Sequence, residues 1–230
     1  MEYVHRILKE VNDAADSMKS LSKNVQETLR IAIYSSPTSQ LIPKIYMDFC
    51  SLFPHYTISI SKDSLSNMLK KILSGELDMA YALTPDHYDK NLYKIIPLES
   101  CEIRVLLSAD HPLAKETAIS LSQLQTERVF SYPIGSQIRS MIDQELQKQK
   151  IKLTQLVPHR VDFVNPLIEQ NYGIAFTLYD KFHFVPDTSK IIVKPLTTSL
   201  VCQTALIFRQ GLKLTNAMKD MKSYLETLVL

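Results

Sequence analysis

The chain has 230 residues, with 26 Lys+Arg against 24 Asp+Glu, a formal net charge of +2 and a hydrophobic fraction of 45%. This composition excludes an intrinsically disordered chain, and the small net charge argues against direct contact of these residues with nucleic acid. The uncharged run at 196–208 is shorter than the roughly 20 residues of a membrane-spanning helix, so no membrane partner is expected.

The N-terminal residues and the cysteines indicate the compartment. Charges interrupt residues 1–10, which argues against a secretory signal there and favours a cytoplasmic protein. Cys50, Cys101 and Cys202 lie far apart in sequence, so no disulfide framework is expected, although two of them could still pair in space. Cys50 and Cys202 fall in apolar stretches, which favours core packing over a reactive thiol.

Residues 1–25 differ in pattern from the rest of the chain. Apolar side chains recur there at three- and four-residue steps, and lysines and aspartates fill the other face, which predicts an amphipathic helix. Two interpretations are open. The helix is the end of an element that begins before this chain, or it is an ordinary terminal helix lying on its own domain.

The next segment alternates between strands and helices. Gly75 predicts a left-handed helix stop, and Pro54 ends the helix before it. Strand, helix, strand, helix and strand in this order predict a parallel sheet with covering helices. The predicted elements are a strand at 29–34, a helix at 40–53, a strand at 56–60, a helix at 64–74 and a strand at 77–83.

A second α/β unit of similar size follows. Strand-like connections around 100–103 and 196–200 would join the two units, which predicts a hinged two-lobe binder. The predicted strands of this part are 92–98, 103–107, 128–132, 157–161, 173–177, 191–193 and 200–208, and the predicted helices are 121–124, 136–148, 163–170 and 213–230.

The sequence shows no catalytic motif. Only four glycines occur, so a glycine-rich phosphate loop cannot form, and no serine has the sequence context of a nucleophile elbow. His87 with Asp86 and Asp89 is the nearest approach to a metal cluster, but turn geometry explains these residues as well. His111 before Pro112 predicts a surface turn. We therefore expect no enzyme, no cofactor and no metal site.

Hydroxyl-rich loops between strands and helices are the candidate binding feature. They contain Ser35, Ser36, Thr38 and Ser39 after the first strand, Ser64 and Ser66 before the second helix, and Gly135 and Ser136 after Tyr132. Ligands of open α/β sheets bind at the carboxyl ends of strands, where helix N-termini attract anions. Two such loops facing each other across a hinge would hold a small carboxylate or similar anion. Helix capping alone explains the same residues, and both roles can coexist.

Several motifs also occur in a characteristic order. They are Leu29-Arg30-Ile31, Leu41-Ile42-Pro43, Leu73-Ser74-Gly75-Glu76-Leu77-Asp78, His111-Pro112-Leu113-Ala114, Ile119-Ser120-Leu121 and Gly173-Ile174-Ala175. In this order and spacing they resemble the effector-binding domain of LysR-type transcriptional regulators. Residues 3–21 resemble that family's linker helix.

The resemblance implies an α/β fold like that of type 2 periplasmic binding proteins, with two lobes, hinge strands and a preceding linker helix. It implies a dimerising linker helix at 1–25, lobe I at 29–101 plus 200–230, and lobe II at 102–199. It also implies a small-molecule effector in the cleft and a homodimer or homotetramer. DNA would be bound only by a winged helix-turn-helix that is absent from this chain.

The predicted ligand-binding residues come from the hydroxyl-rich loops and the resemblance together. They are Ser35, Ser36, Pro37, Thr38, Ser64, Ser66, Tyr132, Ile134, Gly135, Ser136 and Thr177. The chain departs from the family pattern at Asn171, where a glycine is common, and at Leu178, where a proline is common. Asn tolerates a positive φ, so the turn at Asn171 is expected to survive, whereas Leu178 changes the loop that carries Thr177.

Two other functional classes remain as alternatives. A solute-binding protein of a transporter would share the fold but needs an export signal. An enzyme with the same two-lobe fold needs an acid/base pair or a nucleophile in the cleft loops.

Overall fold

The structure, a computed structural model, describes residue 11 and residues 27–34, 40–158, 164–180 and 190–229. The predicted linker helix at 1–25, except Val11, and the loop at 35–38 lie outside the described residues. Within the described ranges, no helix is long and apolar enough to cross a bilayer.

A mixed nine-stranded sheet runs through the described part of the chain, in the order β2-β1-β3-β9-β4-β7-β5-β6, with β8 paired to β4. The strands β1–β3 pair in parallel, as do β5–β7, whereas β4 and β9 run antiparallel to their neighbours. The parallel sheet predicted for the first three strands is therefore confirmed, and a second parallel group follows in β5–β7. The strands are β1 (Thr28–Ile33), β2 (Thr57–Ser61), β3 (Met79–Leu83), β4 (Tyr93–Ser108), β5 (Arg128–Ser131), β6 (Gln155–Pro158), β7 (Ile174–Tyr179), β8 (Ile191–Pro195) and β9 (Val201–Arg209).

Five helices cover the described sheet. Helix α1 combines two α-helical pieces with a π-helical turn between them, and α2 runs from its Ser64 cap to Gly75, whose φ of 77° is the predicted left-handed stop. The helices are α1 (Leu41–Lys44, Ile45–Phe49 and Cys50–Leu52), α2 (Leu65–Ser74), α3 (Gln137–Lys148), α4 (Val164–Glu169) and α5 (Asn216–Val229), and short 3-10 turns form at Pro112–Lys115 and Leu121–Leu124.

Strand β4 is the main difference from the prediction, because the sequence suggested two strands where the structure has one. Its first half pairs with β9, its second half pairs with β7 and β8, and the register shifts between Pro97 and Ser100. Residues 100–102 stay extended because β9 pairs with them at 201–203. The antiparallel strands β4 and β9 thus form the hinge, and the second crossing lies at 201–203 rather than at 196–200.

Each lobe has its own apolar core on both faces of its sheet. In lobe I, α1 and α5 cover one face and α2 covers the other. In lobe II, α3 covers one face and α4 covers the other. The two-lobe fold is confirmed. The predicted boundaries, 29–101 plus 200–230 and 102–199, remain a proposal, since the core under α3 also includes Leu83, Cys101, Leu200 and Cys202 of the predicted lobe I.

Asn171 and Gly173, in the turn before β7, occupy positions where most side chains would not fit. Asn171 has a φ of 55°, as expected for the residue that replaces a glycine. A Cβ on Gly173 would lie 2.5 Å from the carbonyl oxygen of Arg128, which no ordinary contact allows. The glycine is needed because two strands approach closely at this point.

His111 corrects one sequence-based expectation. It was predicted at the surface, yet its side chain is only 7% exposed. Its Nδ1 accepts a hydrogen bond from the backbone of Leu113, and its Nε2 lies 3.4 Å from Glu127. Burial is tolerated because both ring nitrogens have partners, one nearby in sequence and one 16 residues away.

Candidate functional site between the lobes

The first predicted loop follows β1. Ser35, Ser36, Pro37 and Thr38 lie outside the described residues, so their contacts remain a prediction. The residue before them, Tyr34, closes β1 through a hydrogen bond from its backbone N–H to Tyr81.

The start of α2 holds the second pair of predicted residues, Ser64 and Ser66, both exposed. Ser64 Oγ accepts a hydrogen bond from Asn67 N at 3.3 Å. The Asp63 carboxylate accepts from Ser64 N at 2.8 Å, from Asn67 Nδ2 at 2.9 Å and from Lys71 Nζ at 2.7 Å. The donors at this helix start are already used by side chains of the same segment.

The start of α3 carries the third predicted loop. Ser136 Oγ accepts a hydrogen bond from the backbone of Arg139 at 3.3 Å, so Ser136 is the cap of this helix. Gly135 has a φ of 86°, which a glycine adopts without strain, and Ile134 is 79% exposed. No acidic side chain occupies the first turn of α3, so the positive end of the helix dipole is not neutralised there.

Four polar atoms around the start of α3 are buried without a hydrogen-bond partner among the described residues. They are Ser131 Oγ, Gln137 Oε1, Arg139 Nη1 and Thr84 Oγ1. Ser131 ends β5 and is fully buried, while Arg139 holds Asp143 through its Nε and keeps Nη1 free of a described partner. Folded proteins rarely leave buried polar atoms unpaired, so these atoms mark a place for a bound molecule or ordered water.

Gln137 connects the two lobes directly. Its Nε2 donates to the carbonyl oxygen of Thr84 and to Asp86 Oδ1, both at 2.9 Å. Thr84 and Asp86 follow β3 in lobe I, whereas Gln137 is the first residue of α3 in lobe II. These hydrogen bonds hold the lobes together at one side of the cleft.

A pocket of about 440 Å³ lies beside this connection. One wall comes from the loop after β3, a second from α3, and the floor from β9. The lining residues are Thr84, Pro85, Asp86, His87, Gln137, Ser140, Met141, Gln144, Val201, Cys202 and Gln203.

Tyr34 of lobe I and Tyr132 of lobe II lie close to each other near the hinge strands. Tyr132 OH accepts a hydrogen bond from the backbone N–H of Leu178 at 2.9 Å, and the fully buried Thr177 hydrogen-bonds the same hydroxyl. Burial, followed by the neighbouring Tyr132, raises the pKa of Tyr34 well above its ordinary value. The structure thus brings two predicted site residues together: the buried Thr177 side chain hydrogen-bonds Tyr132 and is not exposed to solvent.

Acidic groups lie at the hinge side of the cleft. Tyr81 OH donates to Glu99 Oε1 at 2.9 Å, and burial and the nearby Glu99 raise the pKa of Tyr81. Asp180, only 6% exposed, adds to this effect on Tyr81 and also on Tyr132. Two carboxylate groups, those of Glu99 and Asp180, thus lie at the hinge side of the cleft.

The sequence missed several of these residues. Thr84, Ser131 and Gln137 have no motif around them, and their importance comes from burial and from contacts across the cleft. His87 lines the pocket, but in the described ranges no group of three metal-ligating side chains is present.

Comparison with known proteins identifies related sequences. The family model described as the LysR substrate binding domain matches residues 22–229. YtlI, an HTH-type transcriptional regulator of Bacillus subtilis, is 32% identical over 148 residues, which cover 61% of this chain and 46% of YtlI. GltC, a transcriptional dual regulator of the same organism, is 24% identical over 194 residues, covering 84% of this chain and 63% of GltC. The chain spans about half the length of the curated relatives it matches.

Solved structures agree on the fold. The regulatory domain of Synechocystis CcmR in complex with 2-PG superposes with a TM-score of 0.73 at 16% identity, covering 89% of this chain and 98% of that domain. The effector-binding domain of QuiR in complex with shikimate gives a TM-score of 0.71 at 15% identity, with 89% and 98% covered. At these identities the similarity establishes the fold.

Proposed function

The chain belongs to the LysR substrate-binding domain family, and from that premise we propose that it senses a small anionic effector bound between its lobes. The bound effector stabilises one arrangement of the lobes and so shifts the population of conformations. The role proposed is regulatory, with no catalytic step.

One observation carries the position of the effector: the unpartnered polar atoms at the start of α3. Ser131 Oγ and Arg139 Nη1 from lobe II and Thr84 Oγ1 from lobe I are buried without a described partner. A ligand with several oxygens would satisfy a hydroxyl and a guanidinium together. The predicted contacts from Tyr132, Ile134, Gly135 and Ser136 belong to the same loop.

The charge distribution supports an anion at this place. The first turn of α3 has no acidic side chain against the helix dipole, and Arg139, which pairs with Asp143 through Nε, still offers Nη1 as a donor to an anion. Glu99 and Asp180 disfavour an anion at the hinge side. We therefore place the carboxylate of the effector at α3 and its remainder toward the pocket beside Gln137.

A thermal-shift screen tests this proposal. Small mono- and dicarboxylates are compared with their amides and alcohols, and at least one carboxylate is expected to raise Tm in a concentration-dependent way. The Ser136→Ala variant is expected to reduce that shift, because the loop that carries the ligand loses its cap. Ser120→Ala removes a matched cap from a 3-10 turn away from the cleft and serves as the control.

Two results would count against the proposal. If an amide or alcohol raised Tm as much as the corresponding carboxylate, the negative charge of the effector would not be what the site recognises. Equal loss of the ligand shift in Ser136→Ala and Ser120→Ala would assign the effect to general destabilisation.

We also propose that the chain works as a homodimer or homotetramer in the cytoplasm, coupled to a DNA-binding part outside these residues. The full-length relatives are HTH-type transcriptional regulators, which supports the link to DNA. Tyr46, Met47 and Leu52 of α1 are exposed by 49%, 71% and 65%, which supports an apolar contact with a second copy.

Sedimentation velocity tests the self-association. Met47→Glu is expected to lower the fraction of dimer, because a charge is placed at the centre of the exposed apolar face of α1. Gln147→Glu adds the same charge at an exposed position of α3 and should leave the distribution unchanged. A monomeric wild-type chain, or a dimer that Met47→Glu does not weaken, would contradict this part of the proposal.

A further inference from the structure

Two cysteines that are distant in sequence lie side by side on the two hinge strands, β4 and β9. Cys101 of β4 is the register partner of Cys202 of β9. Their Sγ atoms lie 3.2 Å apart, and both thiols are free. The third cysteine, Cys50, lies on α1 in lobe I.

The backbone geometry suits a bond between the two sulfurs. Ile103 N donates to Leu200 O at 2.9 Å, which makes this a hydrogen-bonded pair of the antiparallel ladder. Because such pairs alternate along the ladder, Cys101 and Cys202 form the next one, with Cα atoms about 5.5 Å apart. This separation lies inside the range of about 4.4–6.8 Å that disulfides use, so small side-chain rotations suffice to join the sulfurs.

Access to the pair is asymmetric. Cys202 lines the pocket beside Gln137 and is 9% exposed, whereas Cys101 is 3% exposed and is not part of the pocket wall. A small reagent that enters the pocket therefore meets Cys202 first.

We propose that Cys101 and Cys202 form a reversible disulfide when a small hydroperoxide enters the inter-lobe pocket. The Cys202 sulfur, as thiolate, attacks the terminal peroxide oxygen. The O–O bond breaks, the alcohol or water leaves after taking up a proton, and Cys202 becomes a sulfenic acid. The Cys101 sulfur then attacks the Cys202 sulfur and displaces hydroxide, which takes the Cys101 proton and leaves as water. The two thiols lose two electrons in total, and the hydroperoxide gains them.

The environment of Cys101 fits the second of these steps. Its hydrogen bond with Cys202 and its burial raise the pKa of the Cys101 thiol well above the ordinary value. The raised pKa disfavours a Cys101 thiolate, which makes Cys101 a poor first nucleophile for the peroxide. It reacts only when the neighbouring sulfur has become an electrophile.

The position of the bond gives it a structural consequence. The strands β4 and β9 are the hinge between the lobes, and both cysteines lie in the stretch where these two strands pair. A cross-link between the two strands fixes their relative position and closes a loop of roughly 100 residues in the unfolded chain. The oxidised chain is therefore expected to unfold at a Tm on the order of 10 °C higher than the reduced chain.

The experiment uses the chain with Cys50→Ser, so that only the hinge cysteines remain. Treatment with a stoichiometric amount of hydrogen peroxide, followed by intact mass and peptide mapping, is expected to show loss of two hydrogens and a Cys101–Cys202 linked peptide. Dithiothreitol should restore the original mass and lower Tm again. In Cys101→Ser the same treatment should leave Cys202 with added oxygen, and in Cys202→Ser the remaining Cys101 should stay unmodified.

The opposite results are equally clear. Sulfinic acid on Cys202 while Cys101 stays reduced would overturn the proposal. So would a native chain whose cysteines react with peroxide only after unfolding, or an equal reaction of Cys101 in Cys202→Ser. None of these outcomes depends on the identity of the effector, so the proposal can fail while the proposed function holds.

Discussion

The starts of α2 and α3 look alike in sequence and differ in the folded protein. Both follow a strand and a hydroxyl-rich loop, and both are capped by a serine, Ser64 or Ser136. At α2 the Asp63 carboxylate occupies the donors and carries a negative charge. At α3 no acidic side chain lies in the first turn, and Gln137 and Arg139 keep buried atoms without a described partner.

The difference indicates that a capping serine does not by itself make an anion site. An anion at the start of α2 would compete with the Asp63 carboxylate for the same donors and would be repelled by its charge. At the start of α3, an anion would accept hydrogen bonds from buried donors that have no partner among the described residues. We therefore expect most of the binding energy to come from α3 and little from Ser64 and Ser66. The following variants separate the two helix starts.

The largest effect is expected for Arg139→Gln. Loss of a charged hydrogen bond costs about 1.5–3 kcal/mol, so the affinity for the best carboxylate should fall roughly ten- to a hundredfold. Isothermal titration calorimetry measures the change. Arg128→Gln is the matched control, because Arg128 is also in lobe II but contacts Gln155 and Tyr172. Equal affinity loss in both variants would contradict the assignment to α3.

A smaller effect is expected for Gln137→Ala, which removes the hydrogen bonds to Thr84 and Asp86. With about 0.5 kcal/mol lost per bond and about 1 kcal/mol in total, the closed arrangement is less populated and the apparent affinity should fall about fivefold. Small-angle scattering should show a larger radius of gyration in the ligand-free variant. Gln147→Ala, at an exposed position of the same helix, should change neither quantity. Unchanged affinity and dimensions in Gln137→Ala would show that this contact does not hold the lobes.

Ser64→Ala is expected to change stability but not binding. Loss of the cap should lower the free energy of unfolding by about 1 kcal/mol, as measured by urea denaturation. The carboxylate affinity should remain within a factor of two of wild type, roughly the error of such a comparison. An affinity loss as large as that of Arg139→Gln would move the site to α2.

The smallest effect concerns the pH dependence of stability at α2. The hydrogen bond from Lys71 lowers the pKa of Asp63, so its carboxylate stabilises the fold above the ordinary Asp pKa of about 3.9. That contribution is lost as the pH falls through the lowered pKa. Asp63→Asn should therefore be less stable than wild type at pH 7 and lose part of the acid sensitivity. Urea denaturation at neutral and acidic pH measures both, and identical pH profiles would contradict the role given to Asp63.

The sequence predicted local features well and tertiary ones poorly, for physical reasons. Hydrophobic periodicity located most strands and helices, and the backbone needs of Gly75 and Asn171 follow from residue type alone. The continuity of β4 was missed because its middle segment is extended only through pairing with β9. Likewise, His111 was predicted at the surface because its partner Glu127 lies 16 residues away in sequence.

The candidate site divides in the same way. Ser136 and Gly135 were found because caps and positive-φ turns have local signatures. Ser131 and Gln137 were missed because an unpaired atom or a contact across a cleft depends on how two lobes meet. The pairing of Cys101 with Cys202 depends on strand register, which no spacing of cysteines reveals.

A crystal structure with the carboxylate that raises Tm most would test the central claim most directly. The account predicts ligand density at the start of α3, with a carboxylate oxygen within hydrogen-bond distance of Arg139 Nη1 and Ser131 Oγ. Density at the start of α2 beside Asp63, with Arg139 Nη1 still unpaired, would contradict it.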